Sequence, residues 1–526
     1  MTGNPLHEKT VGEVVAARAA LAPERTALEF EGASLTYAGL DRLANRFARA
    51  LLSQGLGKGD HIAWLGKNSH LFFAALLGAS RVGIILTPVN WRLAGPEIAY
   101  ILDDAEAKLL FVGREFTDSV DDLRRGLKHT DAFIAYESEA PGYLSIADFL
   151  SGAPDTPPYA STNEQDVVVQ LYTSGTTGHP KGAMLHHHAL IDLKRAGEGH
   201  SEWNSWSADD ISLVAMPCFH VGGTVWGLTT LMSGAKAVIA REFVVGDILD
   251  YMERDGISKI FLVPAAIQFI LRDPRVREVD YSRIKYMLYG ASPIPLDLLR
   301  EAMDVFGCGF VQMYGMTETA GTVVALPPED HDVDGNPRMR SAGKAMPGVE
   351  VAIMGEDGTL LPPGETGEIV TRSSANMKGY WNLPDATAST LAAEGWLKTG
   401  DAGRMDNDGY VYILDRVKDM IITGGENVYP AEVENAVFSH PDVADVGVIG
   451  VPDARWGEAV KAVVVRKPGA ALTESDVIDF ARTRIAGFKA PKSVDFVEEL
   501  PRNPSGKILR RELRAPYWEG RARGVN

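Results

Sequence analysis

Between Tyr172 and Gly182 the chain reads Tyr-Thr-Ser-Gly-Thr-Thr-Gly-His-Pro-Lys-Gly. Thr173, Ser174, Thr176 and Thr177 carry hydroxyls, Gly175 and Gly178 leave the backbone bare, and Lys181 brings a positive charge. Bare backbone lets N–H groups close around an anion, hydroxyls add donors and an ammonium balances charge, so the stretch suits a phosphate. Its spacing is not that of a Walker A loop, because the gap between the second glycine and the lysine is wrong. The plain alternative is a flexible polar loop, the usual fate of such composition. Two other clusters carry less. The run from Asp330 through Asp332 and Asp334 to Gly335 begins like a calcium loop, but its twelfth position is Ser341 and Pro337 interrupts it. That leaves a polar surface loop. His186, His187 and His188 are consecutive and cannot share one face of a helix or strand, so they mark a helix start and not a metal tract. The absence of a Gly-x-Ser-x-Gly elbow removes the commonest α/β-hydrolase reading.

These residues need a scaffold, and the pattern supplies one. Apolar strand-like runs such as "DVVVQL", "KIFLVP" and "IKYMLYG" alternate with helical periodicity over the first 400 or so residues. That alternation predicts doubly wound parallel sheets covered by helices on both faces. After about residue 340 a turn at Asp357-Gly358 joins runs that read as antiparallel strands. From about Asp415 to Lys418 onward a small α+β unit follows, with a helix opened by Pro430. The fold class is therefore α/β: a large N-terminal domain of doubly wound sheets with a β-rich part (1–414), a hinge (415–418) and a small mobile α+β domain (419–526).

Composition narrows the function classes. The 526 residues are 45% hydrophobic and 23% charged, as in a globular protein, and the net charge is −18. A sequence-independent grip on nucleic acid or on an anionic membrane needs an excess of basic charge, which this chain lacks. Two cysteines, Cys218 and Cys308, exclude a disulfide framework and a cysteine-rich zinc site, and point to a reducing compartment. The most apolar stretch, Leu71 to Val89, carries Arg81 and reads as a helix feeding a buried strand, not a membrane span. No secretory signal is visible at the N-terminus. The expected location is cytoplasmic, and a homodimer is left open.

From the Tyr172–Gly182 loop onward the sequence resembles the adenylate-forming superfamily, closest to fatty acyl-CoA synthetases. The resemblance continues in order through "MPCFHVGG" (Met216 to Gly223), "YGASPIP" (Tyr289 to Pro295), "MYGMTE" (Met313 to Glu318), "TGD" ending at Asp401, "DRVKDMIITGGENVYPAEVE" (Asp415 to Glu434) and the turn holding Lys507. It implies that the Thr173–Gly178 loop and Lys181 hold the phosphates of ATP. Gly290, Ala291, Ser292, Gln312, Tyr314, Gly315 and Met316 would surround adenine, with the Tyr314 ring as a stacking surface. Thr317 would donate to the α-phosphate. Glu318, a hard oxygen ligand, would bind Mg2+ together with Thr177. Asp401 and Arg416 would hold the ribose. Lys507 would reach the reacting carboxylate and α-phosphate, offsetting the charge that builds when one anion attacks another. Lys418 matches the hinge, and Gly424, Gly425 and Glu426 match the surface beside the coenzyme A tunnel.

The implied reaction has two halves. A carboxylate attacks the α-phosphate of ATP to give acyl-AMP and pyrophosphate, and a thiol, expected to be coenzyme A, then displaces AMP. His220 is expected beside the reacting carboxylate, and Val221, Gly222, Trp226, Val263 and Pro264 along the acyl chain. Small residues after His220 leave a path for that chain, and Trp226 gates or floors it or is plain core. No acidic residue stands here to pair an α-ammonium, and an unpaired buried ammonium costs several kcal/mol, so amino acids should be rejected. The expected acid is uncharged beyond its carboxylate: a medium- or long-chain fatty acid, with a cinnamate or benzoate as runner-up. A ligase loading a carrier protein would share every motif, although no carrier domain follows Lys507. Luciferase-type oxidation and a non-enzymatic scaffold are the remaining rivals.

Overall fold

The computed structural model describes residues 4–173, 180–416, 419–423, 426–502 and 506–519. Among these residues the larger body holds two mixed sheets. One has nine strands, and its middle, from Thr26–Phe30 through Lys236–Ile239, Ile211–Val214, Lys259–Leu262 and Tyr286–Gly290 to Gly309–Met316, is parallel throughout. The other has eight strands and a parallel middle running from Val167–Thr173 through Ile85–Val89, His61–Leu65 and Ala107–Gly113 to Ala132–Tyr136. His61–Leu65 and Ile85–Val89 are buried at every position, as continuous apolar strands between helices should be. The expected doubly wound core is present, with antiparallel strands added at the sheet edges.

Local signals set the elements that matter. Thr10 and Glu13 form a capping box that starts the helix Val11–Leu21. Ser69 caps the helix His70–Arg81, which leads into the buried strand Ile85–Val89 as read from the sequence. The histidine triplet splits into separate tasks. His186 caps the helix His187–Gly197 through Nδ1, His187 Nδ1 accepts from the Val11 backbone, and His188 lies 3.8 Å from Asp192. Burial holds His186 and His187 down at about 4, so both stay neutral capping and bridging groups at ordinary pH.

The four-stranded antiparallel sheet from Val349–Met354 to Val411–Arg416 bears out the β-rich reading, including the turn at Asp357-Gly358. The calcium-like run is corrected in part. Asp332 and Asp334 are surface residues, but Asp330 is buried, accepting from the Tyr410 hydroxyl at 2.7 Å and pairing with Arg338 at 3.2 Å. It pins the antiparallel sheet to the body and is no ligand. The smaller C-terminal unit is a five-stranded sheet built on the long Val443–Asp453 and Gly457–Arg466 pair, covered by the helices Pro430–Phe438 and Glu474–Arg482. No helix among the described residues is long and apolar enough to cross a membrane.

Candidate active site

A cavity of about 2320 Å3 opens where the parallel strands of both sheets end. Its lining follows the carboxyl ends of those strands: Asn90, Thr173, His220, Val263, Ala291 and Met316. Open α/β sheets bind ligands in that position, because connecting loops diverge there.

The polar centre is built by strand pairing. Val167–Thr173 and Lys181–His186 run antiparallel with Thr173 opposite Lys181, so both stand at the base of the hydroxyl-rich loop. Residues Ser174, Gly175, Thr176, Thr177 and Gly178 lie outside the described residues. The strand Gly379–Tyr380 adds to the same edge, with Tyr380 opposite Ala183, and this brings the tyrosine ring to 5.0 Å from the Lys181 ammonium. The Tyr380 hydroxyl donates to Glu318 Oε1 at 2.7 Å, and Thr173 Oγ1 lies 3.5 Å from the same oxygen. Glu318 itself is only 5% exposed, in a tight turn over Thr317–Thr319. The turn is stapled by Thr319, whose side chain bonds Met316 and Gly321, and ends at Ala320 with φ +52°. Ala291 has φ +67° at the cavity edge. Two of the seven non-glycine residues held in the left-handed region among the described residues, Ala291 and Ala320, thus border this cleft.

Glu318 fits the expected Mg2+. Among the described residues both of its hydrogen bonds fall on Oε1, which leaves Oε2 for a hard cation, and no group of three or more His, Cys, Asp or Glu side chains could cage a metal. One carboxylate completed by substrate phosphates is how Mg2+ is usually held.

Asp401 and Arg416 pair across neighbouring strands, with Nε to Oδ1 at 2.7 Å, and the Tyr314 hydroxyl donates to the other Asp401 oxygen at 2.7 Å. Arg416 lines the cavity, and Asp401 and Tyr314 are joined to it in the next layer of side chains, while Gln312 accepts from the Tyr289 hydroxyl at 3.3 Å. A Cβ on Gly290 would lie 2.0 Å from the Met313 carbonyl, so its bare backbone serves strand packing. Gly315 lines the cavity, but a Cβ there would meet the Gly321 carbonyl at 1.9 Å, a second packing constraint. Ser292 faces a smaller adjoining cavity. Exposed Glu426 stands away from the cleft, and Lys418, Gly424 and Gly425 lie outside the described residues.

Lys507 enters this cleft from the C-terminal unit. Its turn is closed by Arg502, which donates to the Gly506 carbonyl at 2.5 Å and pairs with Asp445 at 2.6 Å. Gly506 has φ +79°, and a Cβ there would sit 3.1 Å from Ala265 and 3.3 Å from Val263, so the turn rests on the strand end that walls the cavity. Burial, and then the like charge of Arg416, bring the Lys507 ammonium down to about 8.

The apolar wall comes from two helices. Val221–Ser233 presents Val221, Gly222, Val225, Trp226 and Thr229, and His187–Gly197 presents Ala189, Leu190, Leu193 and Lys194. Both sets follow the i, i+4 spacing of one helix face. Trp226 stands in the wall, where its indole N–H donates to the Leu213 carbonyl at 3.1 Å and Trp206 packs edge-on at 5.2 Å. Gly223 leaves no path for a chain, since a Cβ would lie 2.3 Å from the Pro217 carbonyl. Val263 lines the cavity, and Pro264 turns to the smaller one. His220 stands at the N-cap position of the Val221–Ser233 helix without a side-chain cap bond. Burial, and then Arg92, hold its imidazole down at about 4, and its buried Nε2 has no partner among the described residues. A neutral ring with an unsatisfied nitrogen at the cavity mouth can bond a substrate oxygen.

Sequence reasoning missed Tyr380, Lys194 and the loop 198–210, which adds Trp203, Asn204 and Trp206 to the cavity wall. That loop is tied down by Lys259, which is 1% exposed and donates to the Trp203 carbonyl at 3.0 Å and to the Ser205 carbonyl. Lys259→Met should leave both carbonyls short of a donor, costing about 1–3 kcal/mol. Thermal unfolding of the variant should show the loss, and an unchanged Tm would refute the role.

The AMP-binding enzyme family model matches residues 15–381, and the AMP-binding enzyme C-terminal domain model matches 432–507. A fatty acid–[acyl-carrier-protein] ligase of Streptomyces coeruleorubidus is 43% identical over 96% of this chain and 96% of its own. A feruloyl-CoA synthase of an Amycolatopsis species is 39% identical over 95% of this chain and 97% of its own. The crystal structure of ATP-bound MatB from Rhodopseudomonas palustris superposes with a TM-score of 0.86 at 33% identity, covering 97% of this chain and 99% of that one. With both of its parts matched and the cleft between them built as described, the chain belongs to the AMP-binding enzyme family, the adenylate-forming enzymes close to acyl-CoA synthetases.

Proposed function

We propose that this AMP-forming acid–thiol ligase activates a medium-chain acid, aliphatic or aryl, through its acyl-adenylate and passes the acyl group to coenzyme A. The observation that carries this reading is the meeting of Lys507, Arg416 and Glu318 at the mouth of a cavity walled by two apolar helix faces. The acid lies along the Val221–Ser233 helix with its carboxylate at His220. One carboxylate oxygen bonds the α-phosphorus of ATP as the bond to the pyrophosphate oxygen breaks. Lys507 and Thr317 offset the charge that develops there, and Lys181 holds the departing phosphates. Mg2+ held by Glu318, with Thr177, would neutralise the phosphates. Asp401 and Arg416 would take the ribose hydroxyls once the Tyr314 bond is exchanged for nucleotide. The thiol half then breaks the acyl–phosphate bond and releases AMP. In this reading residues 415–418 are the hinge between the body 1–414 and the mobile unit 419–526. The thiol would reach the cleft past Gly424 and Gly425. ATP and coenzyme A would be met in the cytoplasm.

The carrier-protein relative favours a second acceptor, the pantetheine arm of a carrier. Pyrophosphate release across C2 to C18 acids, benzoates, cinnamates and amino acids, followed by thioester formation with free coenzyme A or a carrier protein, decides both points. Preference for acetate or an amino acid would overturn the acid class. Thioester on the carrier alone would transfer the assignment to the second acceptor.

Lys507 also sets a pH dependence. Its ammonium is the active form, so kcat/KM for pyrophosphate release should fall as pH rises through about 8. Bound ATP and carboxylate favour the charged form, so the corresponding limb in kcat should lie at higher pH. A kcat/KM profile flat to pH 9.5 would contradict this.

A further inference from the structure

The far end of the acyl cavity is polar. Lys194 lies on the cavity-lining face of the His187–Gly197 helix and is 9% exposed. Among the described residues Lys194 forms no ion pair, and its ammonium lies 5.9 Å from the Trp206 ring. Glu198 and Asp210 act on it only at longer range, and the Asp210 carboxylate is engaged by Lys285 at 2.8 Å and Ser258 at 3.0 Å. Burial, opposed by Glu198 and reinforced by Lys259, lowers the Lys194 ammonium to about 8. Asn204 lines the same end. Gly197 admits it, since a Cβ there would collide with its amide at 2.1 Å. Asn204 Nδ2 donates to the Gly197 carbonyl at 3.3 Å and keeps a second N–H. A buried ammonium in the wall of a largely apolar cavity costs free energy unless a ligand completes it.

Resting on the ligase reading above, we infer that the preferred acid carries an oxygen hydrogen-bond acceptor at the end remote from its reacting carboxylate, received by Lys194 and Asn204. The lining face of the Val221–Ser233 helix sets the scale. From Val221 to Thr229 the helix advances eight residues, about 12 Å at 1.5 Å each. C–C bonds of about 1.5 Å advance an extended chain by roughly 1.3 Å per carbon, so the acceptor belongs at roughly the eighth to tenth carbon, counting the carboxylate as the first, or across a ring system of that length. Such an acid departs from the wholly apolar chain expected from the sequence. A ketone and a carboxylate both supply the acceptor.

The test compares kcat/KM for pyrophosphate release with nonanoate, 8-oxononanoate and nonanedioate, on the wild-type chain and on Lys194→Met. The wild type should favour one of the oxygen-bearing acids over nonanoate by about tenfold or more, the contribution of a hydrogen bond to a charged group. Whichever acid wins identifies the acceptor. Lys194→Met should bring that ratio to one or below, while Lys194→Arg keeps a preference for the oxygen-bearing acid. Each ratio is taken on one preparation, so the folded fraction cancels. If Lys194→Met yields no active protein, the wild-type ratio decides alone. Nonanoate matching or exceeding both acids on the wild type, or an unchanged ratio in Lys194→Met, overturns the inference and leaves the ligase reading intact. Pyrophosphate release with no acid at all would overturn both.

Discussion

Lys507→Ala should slow pyrophosphate release by about 10²–10³-fold, because a placed charge at such a transition state contributes roughly 3–4 kcal/mol. The substitution removes the ammonium that the C-terminal turn lays beside Arg416 and over Val263 and Ala265. It should leave the second half-reaction nearly untouched: supplied acyl-AMP should still react with coenzyme A, since that step needs no charge between two anions. Rapid-quench measurement of each half separates the two. An equal fall in both would show that Lys507 holds the fold or the cleft and not the first transition state. Acetylation of the same amine removes the same charge and should reproduce the asymmetry.

Arg510→Ala should be the most destabilising single change in the C-terminal unit. Arg510 is buried and reaches Glu434 at 2.7 Å, Asp415 at 3.1 Å and Asp419 at 3.7 Å. Burial already pushes the Asp415 and Glu434 carboxyls above the ordinary carboxylate range, against the pull of the guanidinium. Removing that partner leaves buried carboxylates uncompensated, at a cost of about 3–5 kcal/mol. Without the guanidinium the native carboxyls hold protons more tightly than the unfolded chain does. The native state then binds more protons than the unfolded state, so the stability of the variant should fall as pH rises from about 5 to 7, relative to the wild type. Hydrogen exchange across residues 426–502 at the two pH values reads this directly. Protection equal to wild type at pH 7 would refute it.

Much of the scaffold was legible because its signals are local. The apolar run before Thr173, the helix feeding a buried strand between Leu71 and Val89, and the turn at Asp357-Gly358 each act within a few positions. The polar motif residues were legible by resemblance, but their packing was not. Tyr314 and Asp401 are 87 residues apart and meet because two sheets abut. Glu318 and Tyr380 are 62 apart and meet through an added edge strand. Glycines 223, 290 and 315 read as room for a ligand, yet carbonyl oxygens from neighbouring backbone constrain all three. Lys194 sits in an amphipathic helix where a solvated face is the ordinary fate of a lysine. Only the loop carrying Trp203, Asn204 and Trp206, drawn over it by Lys259, turns that face inward.

The resting of Gly506 on Val263 and Ala265 has an evolutionary consequence. Elsewhere the acyl walls come from helices and loops between residues 187 and 261, far in the chain from Lys507, so a lineage can retune which acid it accepts without disturbing its turnover machinery. At Val263 and Ala265 that independence ends. A bulkier side chain there shortens the channel and also lifts the turn that delivers the ammonium, so drift at these two positions is constrained jointly by substrate choice and by rate, and compensating changes should accumulate around Gly506.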